Sequence, residues 1–177
     1  EAFEKAGFPK GVFNLVTGRG GEVGNALSSH PLVDMISFTG STSGGIAVGK
    51  KALESVKHIS LELGGKSPYI ILPSENHDYA EPIHLCFNSI FLNSGQTCTA
   101  FSRLLIPEEE KGIIEKQLVE IAKEYTVGDP TDHTVKLGPV SSRQQFEKIS
   151  DYIQKGMDEG ARLLTGGLTG SPSKGYY

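Results

Sequence analysis

Apolar positions in the first third of the chain come in short bursts separated by glycine turns. Val12-Phe13-Asn14-Leu15-Val16 predicts a short strand. The glycine turn Thr17-Gly18-Arg19-Gly20-Gly21 follows, and then a helix over about 22–29. Val33 to Phe38 predicts the next strand, Thr39-Gly40-Ser41-Thr42 a turn rich in hydroxyls, and about 43–55 a second helix. From His58 to Leu63 the pattern alternates with a period of two. Ile59, Leu61 and Leu63 share one face, read as buried, and His58, Ser60 and Glu62 share the other. Strands alternating with helices predict a parallel sheet with helical crossovers. Ligands of such sheets bind at the carboxyl ends of the strands, where Gly18, Gly20, Gly40, Ser41 and Glu62 fall.

The pair Gly64-Gly65 interrupts the pattern and predicts a domain boundary, with residues 1–65 on one side and 66–177 on the other. Beyond it, Tyr69 to Leu72 predicts a strand, and Tyr79 to Leu92 a helix with Ile83, Phe87 and Ile90 inside. Arg103 to Ile106 predicts a strand ended by Pro107. Glu108 to Tyr125 predicts an amphipathic helix with acids in its first turn, where the helix dipole favours them. Gly128-Asp129-Pro130 is a turn, Ser141 to Met157 a helix, Arg162-Leu163-Leu164 a short strand, and a Gly/Ser-rich turn follows. The first residues, Ala2 to Ala6, read as the last turns of a helix closed by Gly7 and Pro9. Gly175-Tyr176-Tyr177 reads as the start of a strand. Both ends therefore suggest a piece of a longer protein.

Composition narrows the function classes. Hydrophobic residues are 37% and charged residues 21% of 177, which supports a packed core and argues against disorder. The net charge is −4, and no basic block exceeds Lys50-Lys51, which argues against a nucleic-acid partner. No apolar run approaches the ~20 residues that a membrane helix needs. Two cysteines make no disulfide framework. With free thiols and no leader at the start, the expected location is the reducing cytoplasm. The five histidines are scattered without ligand spacing, so no metal site is expected.

Two residues carry candidate chemistry. Cys86 lies inside an apolar run and reads as core. Cys98 sits instead in the polar stretch "NSGQTCTA" (Asn93–Ala100), directly after a greasy run. It is either a surface or packing thiol or a nucleophile that needs access and a nearby base or N–H donors. Glu62, in "LELGG", is either one residue of a solvated strand face or a carboxylate aimed into a ligand crevice, where it can serve as a general base. Gly18-x-Gly20-x-x-x-Gly24 misses the dinucleotide-binding spacing by one residue. Gly40-Ser41-Thr42-x-x-Gly45, between a strand and a helix, offers hydroxyls and a helix N-terminus to a phosphate, or is a plain tight turn.

Three stretches in this order, "FTGSTSGG" (Phe38–Gly45), "LELGGKSP" (Leu61–Pro68) and "NSGQTCTA", resemble the aldehyde dehydrogenase superfamily, in particular its NAD(P)-dependent, non-acylating members. "GFPKGVFNLVTG" (Gly7–Gly18) and "GPVSSRQQFEKI" (Gly138–Ile149) are similar to family segments too, so the likeness runs the length of the chain. The resemblance implies an α/β fold: the C-terminal half of a Rossmann-like dinucleotide-binding domain over 1–65, then the N-terminal part of a second α/β catalytic domain over 66–177. It implies that Cys98 is the nucleophile and Glu62 the general base. It also implies that Gly18, Gly40, Ser41, Gly45, Leu63, Gly64, Gln145 and Lys148 contact NAD or NADP, with Gln145 and Lys148 near the nicotinamide ribose. The implied reaction is oxidation of an aldehyde to a carboxylic acid through a cysteine thiohemiacetal and thioester. The implied partners are a small aldehyde and, in the full-length protein, further copies of the same chain. The family's oxyanion asparagine, the adenosine-ribose residues and a downstream glutamate would lie outside these 177 residues. Ser43-Gly44 departs from the acid and apolar residue of many members. A competing expectation is a catalytically inactive, truncated homologue that acts only in binding or assembly, and a third is a cofactor-free thiol hydrolase.

Overall fold

A computed structural model describes residues 1–168 and 175–177, and it divides into two compact units, Glu1–Gly64 and Gly65–Tyr177. The first unit opens with the short helix α1 (Ala2–Lys5). A π-helical turn, Gly20–Gly24, runs into α2 (Asn25–Ser29). Strand β1 (Met35–Gly40), helix α3 (Thr42–Leu53) and strand β2 (His58–Leu63) then form one strand–helix–strand crossover. The two strands pair in parallel, with Met35 opposite His58 and Gly40 opposite Leu63.

Close packing of α3 on this sheet depends on missing β-carbons. The Phe38 ring crosses the backbone at Gly40 and Gly44. A β-carbon on these residues would lie 2.6 and 2.8 Å from Phe38 Cζ. Lys57 enters β2 buried, and its Nζ donates to the carbonyls of His30 (2.6 Å) and Val33 (2.7 Å). That pair of bonds satisfies a buried ammonium and pins the turn between α2 and β1 to the start of β2.

In the second unit β3 (Pro68–Ile70) pairs in parallel with β4 (Arg103–Leu105). Between them runs α4 (Ala80–Ile90). After β4 come a 3₁₀ turn (Glu108–Glu110) and α5 (Lys111–Ala122), and later the long helix α6 (Arg143–Asp158). The core is Ile71, Tyr79, Ile83, Ile114 and Ile121, with Phe87, Leu104 and Leu118 packed against it. The buried Tyr79 hydroxyl accepts from the Ser74 N–H (3.0 Å), so the ring is buried without an orphaned oxygen. Glu110 is buried too, with Oε2 2.9 Å from His77 Nδ1.

The parallel α/β architecture agrees with the sequence reading, but several elements differ. Val12–Val16 and Arg162–Leu164 are not strands. A strand needs a ladder partner, and local bonds occupy Val12–Val16 instead: Val12 N–H to Pro9 C=O (3.3 Å) and Asn14 Nδ2 to Gly11 C=O (2.8 Å). Phe13 there stacks on Phe3 at 4.6 Å. Arg162 is drawn to the Glu115 carboxylate rather than into a sheet. The chain end is likewise no strand, although Val140 N–H donates to Tyr176 C=O (2.8 Å). Strand β1 starts two residues later than expected and absorbs Thr39 and Gly40, because its ladder to β2 continues to Leu63. The expected helices over 22–29 and 108–125 are each split by a change of helix type. Phe87 and Ile90 are half-buried rather than fully inside. Leu61 is 41% exposed rather than buried, because α3 covers β2 through Leu63 on a two-stranded sheet too narrow to enclose both leucines. Most of the expected Gly/Ser-rich turn falls on 169–174, outside the described residues.

Candidate active site

Cys98 is exposed, on the turn Thr97–Ala100, which is closed by Ala100 N–H to Thr97 C=O (3.2 Å). The chain reaches it through an unusual backbone. Leaving α4, the tight turn Leu92–Gly95 carries three successive left-handed residues: Asn93 (φ 54°), Ser94 (φ 56°) and Gly95 (φ 76°). Glycine takes this conformation freely and asparagine with little difficulty, while each L-residue there costs roughly 1–2 kcal/mol. The strain is offset by a dense set of hydrogen bonds. Ser94 Oγ donates to Gly138 C=O (3.0 Å), Gln96 Nε2 to Asn93 C=O (3.1 Å), and Thr97 Oγ1 to Leu92 C=O (3.1 Å). The Gln96 side-chain oxygen accepts from Ser141 N–H (2.9 Å). The result is a polar loop, held in one conformation, with its thiol outward.

The surroundings of the loop belong to the same unit. Gly65 passes close behind it: a β-carbon there would lie 3.4 Å from the Cys98 carbonyl oxygen. Arg103, at the start of β4, donates from its backbone N–H to Ser67 C=O (3.2 Å) and from Nε to Lys66 C=O (2.9 Å). Cys86, on α4, is the opposite kind of thiol. It is 3% exposed, its Sγ lies 3.7 Å from the Phe101 carbonyl, and burial pushes its pKa up. It packs; it does not attack.

A cavity of about 470 Å³ opens beside the loop, lined by Lys66, Gly95, Gln96, Gln145, Lys148 and one face of α6. Ser142 caps that helix, its Oγ accepting from Gln145 N–H (3.2 Å). Gln145, Lys148, Ile149, Tyr152 and Ile153 follow at helical spacing, so one face presents them all to the cavity. Gln145 and Lys148 are thus brought together. Lys66 and Gln96 join them without having been assigned a role from sequence. Their signal was present, since both stand inside the motifs "LELGGKSP" and "NSGQTCTA". Tyr152 was missed as well, and its signal was the spacing of four from Lys148.

In the first unit Gly40, Ser41, Gly45 and Leu63 converge where the strands end and α3 begins. Gly40 pairs with Leu63, and a β-carbon on Gly45 would lie 2.7 Å from Leu63 Cδ2. Ser41 caps α3, its Oγ accepting from Gly44 N–H (3.1 Å) and lying 3.1 Å from Ser43 Oγ. The first N–H groups of a helix have no intrahelical partner, and the macrodipole is positive there. The exposed hydroxyls of Ser41 and Ser43 and the open first N–H groups of α3 make a donor set that fits a phosphate. Glu62, one residue before Leu63, is exposed and lies opposite Thr39 in the ladder. Gly64 follows it, exposed. Gly18 sits at the bend before the π-helical turn, where a β-carbon would collide with Val23 Cγ2. Among the described residues no three His, Cys, Asp or Glu side chains gather as metal ligands, and no helix is long and apolar enough to cross a membrane.

Comparison with known proteins agrees with this picture. The model of the aldehyde dehydrogenase family matches residues 1–177, and the chain belongs to that family. A Staphylococcus epidermidis relative, named as an aldehyde dehydrogenase, is 46% identical over 180 residues, covering 100% of this chain and 37% of the relative. Among solved structures, a mutant aldehyde dehydrogenase C from Pseudomonas syringae, complexed with NAD+ and octanal, aligns with TM-score 0.91 at 39% identity. It covers 98% of this chain and 36% of its own. The NAD+ complex of an aldehyde dehydrogenase from Bacillus cereus aligns with TM-score 0.89 at 39% identity, covering 99% and 35%. The chain thus spans 37% of the length of the curated relative, and an aldehyde-binding relative and an NAD+-binding relative share its fold.

Proposed function

We propose that this chain is the part of a cytoplasmic, homo-oligomeric aldehyde dehydrogenase that carries the nucleophile and the general base, and that the protein oxidises an aldehyde to a carboxylic acid with NAD+ or NADP+. The observation that carries the reading is the outward Cys98 thiol, three residues past a left-handed turn held by hydrogen bonds, inside a chain matched end to end by the family. Residues 1–65 supply part of the dinucleotide-binding domain and 66–177 part of the catalytic domain. Gly18, Gly40, Ser41, Gly45, Leu63 and Gly64 would hold the dinucleotide. Gln145 and Lys148, on α6, would contact its nicotinamide ribose.

The Cys98 thiolate adds to the aldehyde carbon and forms a thiohemiacetal whose oxyanion is held by backbone N–H donors. Loss of hydride from this carbon needs an acceptor, which a dinucleotide held by these residues would supply. Cys98 then carries a thioester. Glu62 takes a proton from water, the resulting hydroxide adds to the thioester carbon, and the C–S bond breaks to release acid and thiolate. NAD+ complexes of similar proteins support the choice of cofactor. The test is production of the reduced dinucleotide by the full-length protein with a panel of aldehydes. Cys98→Ala should abolish it. Glu62→Gln should retain one fast burst of reduced dinucleotide and lose the steady state. Steady turnover by Cys98→Ala would refute the reading.

A further inference from the structure

We propose that Gln96 is a positioning residue that fixes the Cys98 loop against the start of α6; this rests on the cysteine mechanism above. Its amide is used at both ends. Nε2 donates to the Asn93 carbonyl (3.1 Å), within the left-handed turn, and Oε1 accepts from Ser141 N–H (2.9 Å), 45 residues along the chain. Ser141 precedes the Ser142 cap of α6, so one side chain joins the turn that aims the thiol to the helix that presents Gln145 and Lys148. A second tether runs in parallel, from Ser94 Oγ to Gly138 C=O (3.0 Å).

The side-chain chemistry is specific. A neutral amide supplies a donor and an acceptor on one planar group, and at this reach only glutamine does so. Glutamate keeps the acceptor toward Ser141 and loses the donor. Methionine keeps the length and loses both. The tethers hold a backbone that the chain would otherwise leave, because non-glycine residues favour right-handed or extended conformations. Without Gln96 the turn relaxes and the thiol moves relative to the α6 face, while the thiol stays exposed and chemically intact.

The experiment compares Gln96→Met, Gln96→Glu and Ser94→Ala with wild type in the full-length protein. The readouts are kcat, KM for the aldehyde, melting temperature, and iodoacetamide labelling of Cys98 by mass spectrometry. A displacement of ~1 Å can cost ~10²-fold, so Gln96→Met should lose on the order of 10- to 10²-fold in kcat. KM and labelling of Cys98 should move only a few-fold. Gln96→Glu should recover part of the loss, and Ser94→Ala should lose several-fold. If Gln96→Met does not fold, Gln96→Glu decides, and its kcat should fall below wild type at little-changed KM. An unchanged kcat in the folded variants overturns the proposal. So does a kcat that falls only in step with melting temperature and is not rescued by glutamate. Should Cys98→Ala retain turnover, the cysteine mechanism itself fails, an outcome separate from a Gln96 variant that matches wild type while Cys98→Ala is dead.

Discussion

The two thiols should differ by orders of magnitude in native reactivity, and the difference measures the packing of the second unit. Cys98 is exposed on a turn; Cys86 lies on α4 beneath Phe101, 3% exposed, with a thiol pKa raised by burial. Iodoacetamide reaches Cys86 only when α4 lifts from the core residues Ile71 and Ile114. An opening free energy of about 5 kcal/mol, the low end for a domain, leaves Cys86 open for about one part in 10³ to 10⁴ of the time. Cys86 should therefore label at least ~10³-fold more slowly than Cys98. Peptide mapping by mass spectrometry over a time course at constant pH resolves the two sites. Guanidinium should collapse the difference to within a few-fold. Native labelling of Cys86 within tenfold of Cys98 would refute the packing of α4, and with it the rigid platform from which the Cys98 loop departs.

Two further outcomes test the frame around the site. Asp129 and Asp132 are each held below the usual carboxylate range, first by the backbone N–H of Thr131 and Thr134 and then by the hydroxyls of the same residues. Their folded pKa lies below the unfolded value, so the stability they contribute is present above an unfolded pKa near 3.8 and is lost as pH falls through the lower folded pKa. Denaturant melts of wild type should weaken across that acidic window, and a doubly substituted Asp129→Asn, Asp132→Asn chain should show a flatter dependence; an equal slope would contradict this. On α3, a β-carbon on Gly49 meets open space, whereas one on Gly45 lies 2.7 Å from Leu63 Cδ2. Gly49→Ala should stabilise by about 0.5–1 kcal/mol through helix propensity. Gly45→Ala should gain less or lose stability, because Leu63 must shift. Thermal melts that rank Gly45→Ala above Gly49→Ala would refute this packing.

The parallel α/β class was legible because period-two alternation at His58–Leu63 and glycine turns at strand ends are local signals. The β1–α3–β2 unit follows from them with boundaries off by about two residues. Val12–Val16 and Arg162–Leu164 misled for a common reason: β propensity is local, but a strand exists only when a neighbour completes its ladder. Cys98 stood out because a thiol in a polar, glycine-containing stretch contradicts packing. The left-handed run at Asn93 and Ser94 did not, since an Asn-Ser-Gly string fits several turn types and only the bonds to Gly138 and Ser141 select this one. Those bonds span 44 and 45 residues, beyond any window in which periodicity is read. Burial of Leu61 failed because alternation tells which residues share a face but not whether anything lies on it.

Lys57 gives the first unit something that Cys86 gives the second. Its ammonium is clasped by two carbonyls and shut away from solvent, although lysine is ordinarily the most forthcoming amine on a protein surface. In the folded state it is silent toward acylating reagents and acyl-transferring enzymes alike. Acylation of Lys57 would cancel the charge, leave a single N–H for two carbonyls and add a bulky acyl group, so the modified chain could not close again in the same way. Any acyl mark found on Lys57 would therefore be a record of past unfolding, written before the first unit closed or after it had opened.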